Sequence, residues 1–222
     1  MKKKLIALAL AICAVVACVS TASLAYFTDK KTVDNVFTAG EVTITLDEGK
    51  VTLDAAGHAV VDINERVRVE EQDYGKLYPG QVIAKDPTIT VEGSESAYVG
   101  AKVVIDSNVD ITDANAAYFA NLLSGGLLAA NDDAVVKVVK QLNATDKTYE
   151  IYIAYKTAMI KDQKVKLFET LSIDKNYDNL KMKNFEGMHI TVNAYAVQAV
   201  GFNDAVTALT TAFSEELSAL NP

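Results

Sequence analysis

The chain has 222 residues, half of them hydrophobic, with three prolines, no tryptophan and a formal net charge of −8. That length and balance suit a single globular core, and the acidic excess disfavours charge-driven binding to nucleic acid or anionic lipid. No internal repeat, low-complexity tract or Pro- or Ser-rich linker divides the chain, so nothing supports a second domain.

The first element is a leader. Lys2, Lys3 and Lys4 precede an uncharged run from Leu5 to Ala25, which closes on the small-residue site Ser23-Leu24-Ala25. This is the layout of a secretory signal peptide, residues 1–25, with cleavage between Ala25 and Tyr26. Cleavage removes three lysines and no acid, leaving 18 basic against 29 acidic side chains, net −11. The alternative is an uncleaved anchor, because the run approaches the ~20 apolar residues a spanning helix needs. Cys13 and Cys18 both lie in the leader, so residues 26–222 hold no disulfide or thiolate metal site. Val15-Val16-Ala17-Cys18 resembles a bacterial lipobox, which would make Cys18 a lipidated first residue and tie the protein to a membrane.

Beyond the leader the hydrophobic period is mostly two. Val42, Ile44 and Leu46 alternate with Thr43 and Thr45, a strand with one buried face. Residues 51–53, 59–63 and 67–69 read as further short strands, the first two joined by a turn at Asp54-Ala55-Ala56-Gly57-His58. Leu77-Tyr78-Pro79-Gly80 predicts a type II turn, since Pro presets one central angle and Gly accepts the positive φ that follows. Strands at 88–91 and 97–105 come next, broken by Gly93-Ser94.

The middle departs from that pattern. Residues 112–123 are rich in helix formers and stop at Gly125-Gly126, as helices do. Residues 131–142 are ambiguous: Asp132-Asp133 suits a helix start, Val135, Val136, Val138 and Val139 suit a strand, and a helix is expected. Strands are predicted at 149–157 and 165–173, then a short helix or turn at 174–180. Residues 189–199 form a long strand whose two faces are both small or apolar, which suggests a central position. Phe202, Val206, Leu209, Phe213, Leu217 and Leu220 form the stripe of an amphipathic helix over 203–220. Eight to ten strands with helical insertions argue for a mainly β fold, a jelly-roll-like antiparallel β-sandwich with a C-terminal amphipathic helix.

The catalytic inventory is thin, and no enzyme activity or cofactor is expected. The two histidines, His58 and His189, have no metal-ligand spacing; His58 reads as a solvated loop residue and His189 as a strand end. No nucleophile elbow, phosphate loop or dinucleotide fingerprint occurs. Asp106-Ser107-Asn108-Val109-Asp110 matches the opening of a calcium loop, but Ile111 and Ala117 stand where its glycine and bidentate acid belong. Glu65, Glu70, Glu71 and Asp73 cluster around Arg66 and Arg68 and read as a solvated strand and loop, with paired-acid hydrolysis as the rival. Asn143-Ala144-Thr145 is a formal glycosylation sequon.

The leader followed by "LAYFTD" and "NVFTAGEVTITLDE" resembles the TasA/camelysin family, secreted proteins of Gram-positive bacteria whose leaders are cut by a SipW-type signal peptidase. "LYPGQVIAKDPTITVEGS" and "ITVNAYAVQAVGF" are similar to two further blocks of that family. Residues 107–147 and the final helix do not match closely. The resemblance implies a jelly-roll fibre protein of the biofilm matrix, in which the N-terminal segment of one subunit completes the sheet of its neighbour. Residues 26–40 would then be the donor strand, with Tyr26, Phe27, Val33, Val36 and Phe37 as anchors.

The residues themselves offer a reason. Two aromatics at a free end have no local partner, strand addition to an open edge supplies both affinity and side-chain pockets, and head-to-tail donation grows filaments because it does not close. The alternative is that residues 26–37 fold back as the first strand of their own sandwich. The expected function is therefore a secreted structural subunit of extracellular or cell-surface fibres, its main partner a second copy of itself, with an accessory matrix or cell-wall protein as a further partner. A monomeric surface adhesin with residues 107–147 as its binding face is one rival. A camelysin-like metallopeptidase is another, for which only His58 and His189 are available as imidazole ligands.

Overall fold

The computed structural model describes residues 41–60, 67–130 and 134–221. Among them the chain is mainly β, and every pairing between its strands is antiparallel. The strands are β1 (Ile44–Gly49), β2 (Thr52–Leu53), β3 (Ala59–Val60), β4 (Arg68–Val69), β5 (Val82–Ala84), β6 (Thr88–Val91), β7 (Ala97–Asp106), β8 (Leu123–Ser124), β9 (Val136–Asn143), β10 (Thr148–Met159), β11 (Lys164–Lys166), β12 (Thr170–Ser172) and β13 (His189–Gln198). Among the described residues three α-helices join them: α1 (Ala116–Ala120), α2 (Asn179–Met182) and α3 (Ala205–Ala212).

Two four-stranded sheets, ordered β11-β6-β1-β4 and β13-β7-β10-β9, form a sandwich. The alternation of apolar side chains sets which face turns inward. From the first sheet Ile89 and Val91 enter the core; from the second come Val99, Ala101, Val103 and Ile105 of β7 and Ile151 and Ile153 of β10, all essentially inaccessible. Each buried valine or isoleucine among them contributes about 1.5–3 kcal/mol relative to an exposed one. A three-stranded sheet, β5-β12-β8, extends this core through Ile83, Leu123 and Leu171, and a β2-β3 hairpin stands apart.

The second sheet is covered on its outer face as well. Ala205, Ala208 and Leu209 of α3, with Phe213, Leu217 and Leu220 beyond it, pack on Tyr152, Ala154 and Val197. Gly100 makes the approach possible: a Cβ there would lie 2.9 Å from the Leu209 side chain. Asp204 caps α3, its carboxylate accepting from the Thr207 N–H at 2.8 Å.

Several expectations change here. The apolar stripe of 203–220 docks, but the α-helix ends at Ala212; Thr210 turns its hydroxyl back to the Val206 carbonyl at 2.8 Å, a bond that bends helices. A 3-10 turn at Ser218–Leu220 carries the last apolar contacts. Residues 136–143 are a strand, not a helix, because their valines sit on the pleated surface of β10 in continuous register from Val136 to Asn143. The helix expected over 112–123 contracts to one turn, and Leu123 joins β12 instead. The single strand expected over 165–173 is split between two sheets, β11 and β12, by the fully buried Leu167 and Phe168.

Among the described residues β13 lies at the edge of its sheet rather than at a central position. Its two apolar faces arise because the core lies on one side and the α3 region on the other, which reproduces the composition of a central strand. The turn at Pro79-Gly80 forms as the sequence predicts: Gly80 has φ +80° and the Gln81 N–H donates to the Tyr78 carbonyl at 3.2 Å.

Candidate functional site

The two edges of the second sheet are built differently. β9 carries Lys137 and Lys140, and Lys140 is further tied to the Ala120 carbonyl at 3.0 Å. Lysine on an edge discourages addition of another strand. β13 has neither lysine nor proline, and among the described residues β7 is its only hydrogen-bonded neighbour.

The phase of that open edge follows from one bond. The Ala199 N–H donates to the Ser96 carbonyl at 2.8 Å, so the odd-numbered residues of β13 exchange bonds with β7. In an antiparallel ladder the alternate residues then direct N–H and C=O outward, namely Ile190, Val192, Ala194, Ala196 and Gln198. The side chains of these residues face the core, yet Ile190, Val192 and Ala194 are only half-buried. Across the sandwich Ile44 and Leu46 of β1 are half-buried in the same way. Among the described residues the inter-sheet core is thus open along this side.

A cleft of about 1010 Å³ runs there. His189, Ile190, Thr191 and Val192 form one wall, residues 70–77 the opposite one, and Met182, Phe185 and Met188 an apolar end. Glu70, Glu71, Asp73 and Glu186 make its rim acidic.

Its floor holds a polar network that sequence reading did not find. Lys85 Nζ meets Glu48 Oε2 at 2.7 Å, with the side chains 6% and 10% exposed. Gln72 Nε2 donates to Glu48 Oε1 at 3.2 Å and to the Tyr74 hydroxyl at 2.7 Å, and its Oε1 accepts from the Val51 N–H at 2.7 Å. The Lys85 ammonium also lies 4.5 Å above the Tyr74 ring. The signal was present in the sequence: Glu48 falls on the inward register of Val42, Ile44 and Leu46, and a charge there requires a buried partner.

Arg68 is held outside the cleft. It donates from Nε to Asp47 Oδ1 at 2.7 Å and from Nη1 to Asp86 Oδ2 at 3.0 Å, pinning β4 to β1 and to the approach of β6.

The sequence-predicted residues divide clearly. Ala25, Tyr26, Phe27, Val33, Val36 and Phe37, with Cys13 and Cys18, lie outside the described residues. So do Glu65 and Arg66, while Glu70, Glu71 and Asp73 gather on the cleft rim. His189 is in the cleft wall. His58 is not a bare loop residue: it packs edge-on against Tyr78 with centroids 4.7 Å apart, bridges to Gly75, and its Nδ1 lies 3.6 Å from Asp54. The backbone N–H of His58 also holds the Asp54 carboxyl below its ordinary value. The segment from Asp106 to Asp110 closes on itself, with Ser107 Oγ bonded to the Val109 backbone, and the Asn108 N–H donates to the Glu186 carbonyl at 2.9 Å. Among the described residues no group of three or more His, Cys, Asp or Glu side chains is placed to hold a metal ion, and no helix is long and apolar enough to cross a membrane.

No protein-family model matches the chain, and no curated protein matches it.

Proposed function

We propose that this chain is a secreted structural subunit that polymerises into extracellular or cell-surface fibres, residues 26–40 of one copy adding a strand along β13 of the next. The fold on this reading is a jelly-roll-type sandwich that the neighbour completes. One observation carries it: among the described residues β13 is a ten-residue edge without lysine or proline, and the apolar side chains beside it are left half-buried along a cleft.

The chemistry of the segment is complementary. Extended, it sets Phe27, Val33 and Phe37 on one face, suited to Ile190, Val192, Ile44 and Leu46. Lys30, on the opposite face from these anchors, would meet the acidic rim at Glu70, Glu71, Asp73 and Glu186. Main-chain bonds to the outward groups of β13 supply affinity independent of side chains. Donation between copies leaves each chain with one filled and one offered site, so growth is open-ended. The similarity of the leader junction to the TasA/camelysin family supports the same reading.

The test is the purified chain beginning at Tyr26, compared by light scattering and electron microscopy with a chain beginning at Gly40. Filaments from the first and monomers from the second are expected. A Tyr26 chain that stays monomeric over a wide range of pH and concentration would overturn the proposal.

A further inference from the structure

The first sheet has an open edge of its own. The Thr43 carbonyl accepts the Glu92 N–H at 2.8 Å, and β1 pairs with β6 in register from Ile44 opposite Val91 to Asp47 opposite Thr88. Thr43, Thr45 and Asp47 therefore direct their bonds toward β6, and Ile44 and Leu46 turn their N–H and C=O groups to the other side. On that side β4 matches β1 only at Glu48 and Gly49. Among the described residues nothing bonds to the outward groups of Ile44 or Leu46. Their side chains share the inner face with the buried Val42 but are themselves left half-buried.

The segment nearest this vacancy is the chain's own. Glu41 is fixed at the head of β1: its N–H donates to Ser94 Oγ at 3.3 Å, and a Cβ on Gly93 would lie 2.0 Å from its carbonyl oxygen. Residues 26–40 lead directly into that point.

We propose that in the free subunit residues 33–37 fold back along β1 as an antiparallel strand, so that each subunit caps itself until its segment is donated. The outward phase of β1 selects the register. A hydrogen-bonded closing pair must fall on an even-numbered residue, and Phe37 opposite Val42 leaves Thr38, Ala39, Gly40 and Glu41 as a four-residue loop, a common hairpin length. Gly40 supplies the freedom of φ that a tight loop uses. Val33 then stands opposite Leu46, and β4 takes over at Glu48. Residues directly opposite share a face of the sheet. Phe37 and Val33 thus join Val42 and Leu46 toward the core, with Asn35 between them opposite Ile44, at the margin that water reaches. A one-residue slip would turn Asp34 and Thr38 to the core instead.

The competition that follows, though not the hairpin, rests on the strand-donation reading. Val33 and Phe37 are anchors in both arrangements, and one segment cannot line its own β1 and a neighbour's β13 together. The short loop holds the segment beside β1 at an effective concentration of about millimolar. Dilute subunits are therefore self-capped, and growth begins when the hairpin opens.

The test uses the chain beginning at Tyr26, kept dilute enough to be monomeric, with amide hydrogen exchange read by NMR. The Ile44 and Leu46 amides should exchange about 100-fold more slowly than in the Val33→Asp/Phe37→Asp variant, while the outward Val192 and Ala194 amides of β13 exchange alike in both. Equal exchange at Ile44 and Leu46 would overturn the hairpin. A crosslink gives the second measurement. Asp34 falls opposite Thr45 in a non-hydrogen-bonded pair, about 4.5 Å between Cα atoms, within reach of a disulfide. Residues 26–222 contain no cysteine, so Asp34→Cys/Thr45→Cys should close one intramolecular disulfide on mild oxidation, stay monomeric, and assemble once reduced. Cysteines that remain unpaired would overturn the register, and a locked monomer that assembles as fast as the reduced one would overturn the competition. Exchange and crosslink are both read on the monomer, so they decide the hairpin even if the parent grows no filaments, a result that overturns strand donation alone.

Discussion

Replacing Glu48 by Leu removes the anion from the floor of the cleft and leaves the Lys85 ammonium, 6% exposed, without its 2.7 Å partner. Gln72 loses an acceptor at the same time. Breaking a buried pair from one side costs about 3–5 kcal/mol, because the remaining charge is stranded in a poorly solvated site. With a urea dependence of about 2 kcal/mol per molar, the unfolding midpoint should fall by about 1.5–2.5 M. Lys85→Met should cost a similar amount, by stranding Glu48. The double variant E48L/K85M strands neither charge and should unfold within about 1 kcal/mol of the parent or above it. The assay is equilibrium urea unfolding of all four proteins as a double-mutant cycle. Single variants within about 1 kcal/mol of the parent, or additive losses in the double variant, would refute the reasoning.

Gly100→Ala should destabilise the protein by about 1–3 kcal/mol in the same assay, since the new methyl meets Leu209 Cδ1 at 2.9 Å and the Ile153 carbonyl at 3.0 Å. Ala194→Pro deletes an outward N–H of β13 and should abolish filament assembly while leaving a folded monomer, whereas Asn193→Pro deletes a bond to β7 and should lower the monomer's own melting temperature. Asp204→Ala should cost about 1 kcal/mol at neutral pH by uncapping α3. The Thr207 N–H and hydroxyl hold the Asp204 carboxyl below its ordinary 3.8, so the cap's contribution is complete above that value and fades as pH falls through the lower folded value. Parent and variant should therefore converge in thermal unfolding at the acid end, and a constant difference across pH would contradict the assignment.

Strands with one solvated face were legible from the sequence because burial writes itself as alternation. β6 and β7 begin at Thr88 and Ala97, where the pattern places them, and Pro79-Gly80 forms its turn for local steric reasons. Misreadings arose where tertiary contacts override local signals. β9 reads as helix only because Asp132-Asp133 resembles a start, and its valines are decided by β10. β13 reads as central because α3 supplies a second apolar neighbour that periodicity cannot attribute to a helix. Glu70, Glu71 and Asp73 were visible as an acidic patch, but their placement in one cleft with His189 and Ile190 depends on the sandwich closing. Glu150 within the buried run Tyr149, Ile151 and Tyr152 marks a charge that needs partners, but those partners, Lys102 and Asn143, come from β7 and β9, and no spacing in the sequence encodes them.

The most direct test of strand donation is a cryo-electron microscopy map of the fibre grown from the chain beginning at Tyr26. The account expects an added strand along the outer edge of β13, with Phe27, Val33 and Phe37 toward Ile190, Val192 and Leu46, and with its continuous connection leading into the adjacent subunit. A strand on that edge that leads back into the same subunit, or a fibre in which the β13 edge stays empty, would contradict it.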